Sequence, residues 1–143
     1  MNIGKFILNI VVAFVVYGLL YTVGPMFIMP EAFTAAEAAM KPMEETAVAV
    51  MTYHFVQTVV VVWLFGKAVG SGDIMAGVVF GFVIGLYAVA TDSVWYTSLA
   101  DFPQATRMPL MIMHLVINAV VGAVLAFMAG KGWGGNALVK ADA

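Results

Sequence analysis

The sequence predicts an all-α integral membrane protein, an antiparallel bundle of four transmembrane helices. Of its 143 residues, 64% are hydrophobic and only 10% are charged, whereas soluble domains average about 45–50% and about 25%. The mean hydropathy is +1.03. Four separate windows each contain the roughly 20 consecutive apolar residues that a helix needs to cross a bilayer. Together, these observations indicate lipid as the solvent.

The first window runs from Phe6 to Met29, and its apolar part is longer than the roughly 7–15 residues of a signal peptide. We therefore interpret it as a retained span. The other windows cover residues 46–65, 74–96 and 108–129. Helix-breaking residues separate the windows, namely Pro30, Pro42, the segment GKAVGSGD at 66–73 and the segment DFPQATRMP at 101–109.

We expect one four-helix domain over residues 1–143, with residues 130–143 as a flexible cytoplasmic tail. The orientation follows from the distribution of lysine and arginine, which favour the cytoplasmic side. One side holds Lys5, Lys67, Lys131 and Lys140, and the other side holds Lys41 and Arg107. This distribution predicts cytoplasmic N- and C-termini in a bacterial-type inner membrane.

The segment between the first two spans contains Thr34-x-x-Glu37, the pattern of a capping box at a helix start. An alanine-rich turn follows it. Two interpretations stay open for this segment, a short interfacial helix and an ordered linker.

Several function classes are excluded. With a net charge of −2 and six dispersed Lys and Arg residues, the chain has no basic surface for nucleic acid. The absence of cysteine removes thiolate metal sites and cysteine nucleophiles. No phosphate-binding loop, nucleophile elbow or dinucleotide fingerprint occurs. The sequence therefore favours a non-enzymatic role.

In the third span, Gly77, Gly81 and Gly85 recur every four residues, a spacing that lets a neighbouring helix approach closely in lipid. At 100° per residue, Asp92 and Trp95 fall within the same arc as these glycines. The pattern therefore predicts that Asp92 points towards protein, whereas we interpret Trp95 as part of an aromatic belt at the external interface.

The other spans carry similar stripes of polar or small residues. These are Tyr17 with Tyr21 at its margin on the first span, His54, Gln57 and Thr58 on the second, and His114, Asn118 and Gly122 on the fourth. Both histidines of the chain and the one carboxylate inside a span fall at similar depth, about 6–12 Å below the external surface. This agreement in depth predicts a polar cluster in the external half of the bundle.

We therefore consider six residues as candidates for an ion, proton or small-ligand site: Tyr21, His54, Gln57, Asp92, His114 and Asn118. Alternatives stay open. His54 and His114 could ligate a haem b axially, or join Asp92 in a metal site with two histidines and one carboxylate. Asp92 could instead orient an imidazole, carry a proton or cation, or simply reach water near the interface. The cluster could also serve helix packing alone.

The stretch from Gly77 to Gly130 resembles small, uncharacterised four-span bacterial inner-membrane proteins, a group of domains of unknown function. The resemblance rests on the glycine stripe, the segment Y-A-x-A-T-D at 87–92, a short external loop with proline, and G-A-x-x-A-x-x-A-G at 122–130. It implies a topology and no catalytic residue.

The function that these observations favour is a non-enzymatic transport-related or accessory membrane subunit. A haem or metal redox protein and a purely structural subunit are the alternatives. Beyond the lipid bilayer, we expect the partner to be a second copy of the chain or a larger membrane complex.

Overall fold

The computed structural model describes residues 2–98 and 103–134. Within these residues all regular secondary structure is helical, which confirms the all-α class. The five helices are α1 (Ile3–Ile28), α2 (Pro30–Ala38), α3 (Met43–Ala68), α4 (Ile74–Ser98) and α5 (Gln104–Gly130). All except the short α2 are long and apolar enough to cross a bilayer. The protein is therefore a multi-pass membrane protein.

Local capping explains where several of these helices begin and end. The side-chain oxygens of Asn2 and Asp73 accept backbone N–H groups in the first turns of α1 and α4, which satisfies donors that lack a helical partner. At the end of α3, Gly70 adopts φ 56° and its N–H bonds the Phe65 carbonyl. Glycine takes this left-handed conformation without steric cost, so the chain can turn towards α4.

Two boundary predictions need correction. The fourth span was expected to begin at residue 108, but α5 begins at Gln104, so Pro109 lies further inside the helix. A proline near the start of a helix removes one backbone hydrogen bond, and transmembrane helices tolerate that loss. Of the two interpretations of the segment that contains Thr34, the structure has the helix, α2, which starts at Pro30 and not after Thr34. Proline suits a first helical position because the N–H that it lacks would have no helical partner there.

The closest helix contact joins α4 to α5 along the glycine stripe. A methyl group added at Gly77 would collide with the Gly122 carbonyl, and one at Gly81 would collide with the Asn118 carbonyl. At Gly85 the added carbon would lie 2.9 Å from Cα of Leu115. The two backbones therefore touch directly, which only glycine permits.

Helices α4 and α5 form one closely packed pair. The other two long helices, α1 and α3, are named together below as the α1/α3 pair. Helix α1 packs against both α3 and α5, whereas α3 makes few contacts with α4 or α5. Between the described parts of α1 and α4 there is no contact. These two helices are therefore diagonal to each other, and α3 lies diagonal to α5. The pairs meet mainly where α1 lies against α5.

The bundle has two ends, which we name the α2 side and the loop side. The α2 side is the end at which α1 and α4 finish and α3 and α5 begin, and the loop side is the end with the 69–73 connection. A buried apolar core fills the bundle towards the loop side. It comprises Ile10, Ala13, Val61, Val62, Phe65, Ile117, Val121, Leu125 and Ala126.

Candidate functional site

Six polar side chains from all four transmembrane helices lie in one layer between the middle of the bundle and the α2 side. We call this set the polar layer: Tyr17 and Tyr21 from α1, His54 from α3, Asp92 from α4, and His114 and Asn118 from α5. The α1/α3 pair contributes three of these side chains and the α4/α5 pair the other three.

His114 is the centre of the layer, because both of its ring nitrogens face a polar partner. Its Nε2 lies 2.8 Å from Oδ2 of Asp92, and its Nδ1 lies 2.8 Å from the hydroxyl of Tyr21. The contact with Asp92 is short but lacks the direction of a hydrogen bond, and it is an ion pair only when His114 is protonated. The His114 side chain is 12% exposed and that of Asp92 is 26% exposed.

A second buried contact lies one helical turn deeper. The hydroxyl of Tyr17 donates to Oδ1 of Asn118 at 2.6 Å, and the amide of Asn118 donates to the His114 carbonyl at 2.8 Å. Tyr17 is 2% exposed and Asn118 is 1% exposed. The amide side chain of Asn118 therefore links the α1–α5 interface to the backbone of the central histidine.

Tyr21 lies between the two histidines. Its ring centroid is 5.5 Å from that of His54 and also 5.5 Å from that of His114. Thr58 donates to the His54 carbonyl at 2.7 Å, and Gln57 lies beside the His54 side chain. His54 therefore joins the layer through its ring contact with Tyr21, whereas the carboxylate of Asp92 contacts His114.

These positions bear on the haem and metal hypotheses. Within the described residues, no group of three or more His, Cys, Asp or Glu side chains could hold a metal ion. The site of two histidines and one carboxylate is therefore not assembled. Haem ligation by His54 and His114 would need a porphyrin between the imidazoles, but the Tyr21 ring contacts both of them. It would also need a free nitrogen on His114, and both face partners at 2.8 Å.

The structure places Tyr21, Asp92, His114 and Asn118 in a continuous set of contacts. Gln57 stays at its edge. Tyr17 was recognised from the sequence only as a residue on the inner face of the first span. The i, i+4 spacing of Tyr17 and Tyr21 was the signal, because it puts two hydroxyl groups on one side of a helix, and their rings stack 6.0 Å apart.

The side chain of Trp95 is 64% exposed. It lies at the edge of the arc that the glycines define, and at that position a large ring turns outward. Exposed aromatic side chains near a helix end suit the membrane interface.

Among the described residues, the polar layer is more accessible at its Asp92 end than towards the loop side. Asp92 is partly exposed there, whereas Val121 and Leu125 below the layer are completely buried. Asn9, which lies beyond this core, donates to the backbone carbonyls of Lys5 and Trp133 at 2.6 Å and 2.7 Å. Its amide is therefore engaged locally and does not extend the polar layer.

Comparison of the chain with protein-family models, curated proteins and solved structures finds no match. The functional argument therefore rests on the residues and their geometry.

Proposed function

We propose that this protein is a non-enzymatic, transport-related or accessory membrane subunit that binds a proton at the His114–Asp92 pair. The observation that carries the proposal is the 2.8 Å contact between His114 Nε2 and Asp92 Oδ2. Ionisable side chains inside a membrane are costly and mark pathways for protons and ions in many membrane proteins. Histidine is the side chain that ordinarily changes charge between pH 5 and 8.

The surroundings favour a proton over a metal cation. Calcium takes six to eight oxygen ligands and magnesium about six, and Asp92 is the one carboxylate in the layer. The remaining members are imidazole, phenol and amide groups, which exchange or share protons through hydrogen bonds. A proton needs no coordination shell, so this small and mostly buried set of groups can accept it.

The location of the site suggests how proton binding acts on the protein. When His114 is neutral, its Nδ1 accepts the Tyr21 hydroxyl and the proton resides on Nε2, facing Asp92. When His114 is protonated, both ring nitrogens are donors, and the Tyr21 hydroxyl must turn to accept. Because Tyr21 belongs to the α1/α3 pair and His114 to the α4/α5 pair, the charge on His114 alters the contact between the pairs.

We also propose a membrane orientation and an assembly for the protein. The excess of lysine on the loop side supports cytoplasmic termini and a bacterial-type inner membrane, as does the resemblance to four-span inner-membrane proteins. The site would then open towards the external side. We further propose association with a second copy or with a larger membrane complex, because large apolar side chains cover the surface of all four transmembrane helices.

Nuclear magnetic resonance of ¹⁵N-histidine in lipid nanodiscs tests proton binding directly. We expect Asp92→Asn to change the ¹⁵N signals of the His114 ring, because Asp92 contacts that ring, and to leave those of His54 in place. Asp73→Asn is the matched control, because Asp73 caps the start of α4, at the opposite end of the helix from Asp92.

A second measurement uses Tyr21→Phe, which removes the hydroxyl at Nδ1 of His114 and should redistribute the neutral ring between its two tautomers. Unchanged ¹⁵N signals of His114 in Asp92→Asn, or an unchanged tautomer ratio in Tyr21→Phe, would count against the proton site. The polar layer would then serve helix packing only.

A further inference from the structure

A groove at the opposite end of the bundle from the polar layer shares no lining residue with that layer. It lies between α1 and α5 at the loop side and has a volume of about 430 Å³. Its lining is Leu8, Val12, Val124, Phe127, Met128 and Trp133. The groove starts beside Trp133, which follows the end of α5, and continues along the two helices to Val12 and Val124. An apolar slot with this direction matches a lipid acyl chain.

Two lysines belong to the surface end of the groove. Asn9 donates to the backbone carbonyls of both Lys5 and Trp133, which holds the start of α1 against the residues that follow α5. The ammonium group of Lys131 lies 5.6 Å above the ring of Phe127, a residue that lines the groove. The Lys131 ammonium group therefore lies near the mouth of an apolar slot, and the backbone of Lys5 lies beside that mouth.

Little negative charge opposes these lysines. In the described part of the loop side, the one carboxylate is Asp73, and its Oδ1 accepts the N–H groups of Met75 and Ala76. Trp133 is 53% exposed at the mouth, and tryptophan is enriched at the level of lipid headgroups. Basic residues beside clefts between transmembrane helices recognise anionic headgroups.

We infer that this groove binds an anionic phospholipid of the leaflet on the loop side, with an acyl chain along the α1–α5 groove and the phosphate between Lys5 and Lys131. The apolar lining accepts the chain of any phospholipid. The two ammonium groups select the anionic headgroup, and each contributes about fivefold to the preference.

Fluorescence quenching in bilayers tests the inference. The substitutions Trp63→Phe and Trp95→Phe leave Trp133 as the one tryptophan of the protein. This variant is placed in phosphatidylcholine bilayers that contain a small fraction of brominated phosphatidylglycerol or of brominated phosphatidylcholine. We expect the brominated phosphatidylglycerol to quench Trp133 at a much lower mole fraction. Lys131→Gln should reduce that preference about fivefold.

The matched control is Lys67→Gln. Lys67 lies at the same side but on α3, with its ammonium group 6.0 Å above the Trp63 ring, and its loss should leave the preference unchanged. Val12→Phe, which fills the groove, should weaken quenching by phosphatidylglycerol. Val11→Phe on the exposed face of α1 should not.

Three results would overturn the inference. The first is equal quenching by both lipids, which indicates ordinary bilayer contact. The second is an equal loss of preference in Lys67→Gln, which indicates a general attraction to the lysine-rich side. The third is protection of Trp133 from both lipids. Protection at every protein density indicates that residues 135–143 occupy the groove, and protection only at high density indicates that a second copy occupies it.

Discussion

The hydroxyl of Tyr17 on α1 donates a 2.6 Å hydrogen bond to Oδ1 of Asn118 on α5, and both side chains are almost completely buried. This bond joins the two helix pairs at the level of the polar layer. In the same helices, Tyr21 and His114 face each other one turn nearer the α2 side. The interface between the pairs and the proposed proton site therefore share the same two helices.

Tyr17→Phe should lower the free energy of unfolding by about 1 kcal/mol, because interhelical hydrogen bonds in membranes contribute about 0.6 and up to about 1.7 kcal/mol. The substitution leaves Asn118 Oδ1 without its donor. Steric trapping in bicelles measures the change. Tyr87→Phe is the control, since Tyr87 is 74% exposed, and an equal loss in both variants would contradict a specific role for the Tyr17 bond.

Gly81→Ala should separate α4 from α5, because the added methyl group would collide with the Asn118 carbonyl. Overpacking of this kind costs about 1–3 kcal/mol. Gly18→Ala should cause no loss of stability, since nothing lies within 4 Å of the added carbon and alanine favours helix. Thermal unfolding of the two variants in the same detergent checks the difference, and equal stability would show that the α4–α5 contact tolerates wider spacing.

The sequence was sufficient to predict the class, the four spans and the direction of Asp92. These follow from hydropathy and from the four-residue period of glycine, which are properties of single helices. The relative depth of Asp92 and His114 also followed from counting residues along the helices, and in the structure the two side chains are 2.8 Å apart.

What the sequence could not predict depends on contacts between helices and on side-chain length. Tyr21 projects to the margin of the inner face of α1, yet its long side chain reaches both histidines. The hydrogen bond from Asn9 to the Trp133 carbonyl joins residues 124 positions apart, and no local sequence pattern predicts it. The start of α5 at Gln104, four residues before the predicted span, was missed because the residues before 108 are more polar than the span itself.

The apolar core on the loop side should prevent passive proton flow through the resting protein. Val121 lies in this core at 0% exposure. We expect liposomes with the wild-type protein to leak protons no faster than empty liposomes under an imposed pH gradient, and Val121→Ser to increase the leak. Val120→Ser is the neighbouring control on the lipid-facing side of α5, where Val120 is 40% exposed. A wild-type leak as fast as that of Val121→Ser would mean that this core is not the barrier.

We propose above that the charge on His114 alters the contact between the α1/α3 and α4/α5 pairs. The chain contains no cysteine, so spin labels can be placed at Met43→Cys and Val94→Cys, two exposed positions on different pairs. Electron double resonance in nanodiscs then measures the distance between the labels at pH 8 and at pH 5, the range in which histidine changes charge. We predict a pH-dependent change in that distance, lost in His114→Gln and retained in His54→Gln. The same distance at both pH values, or an undiminished change in His114→Gln, would contradict the claim.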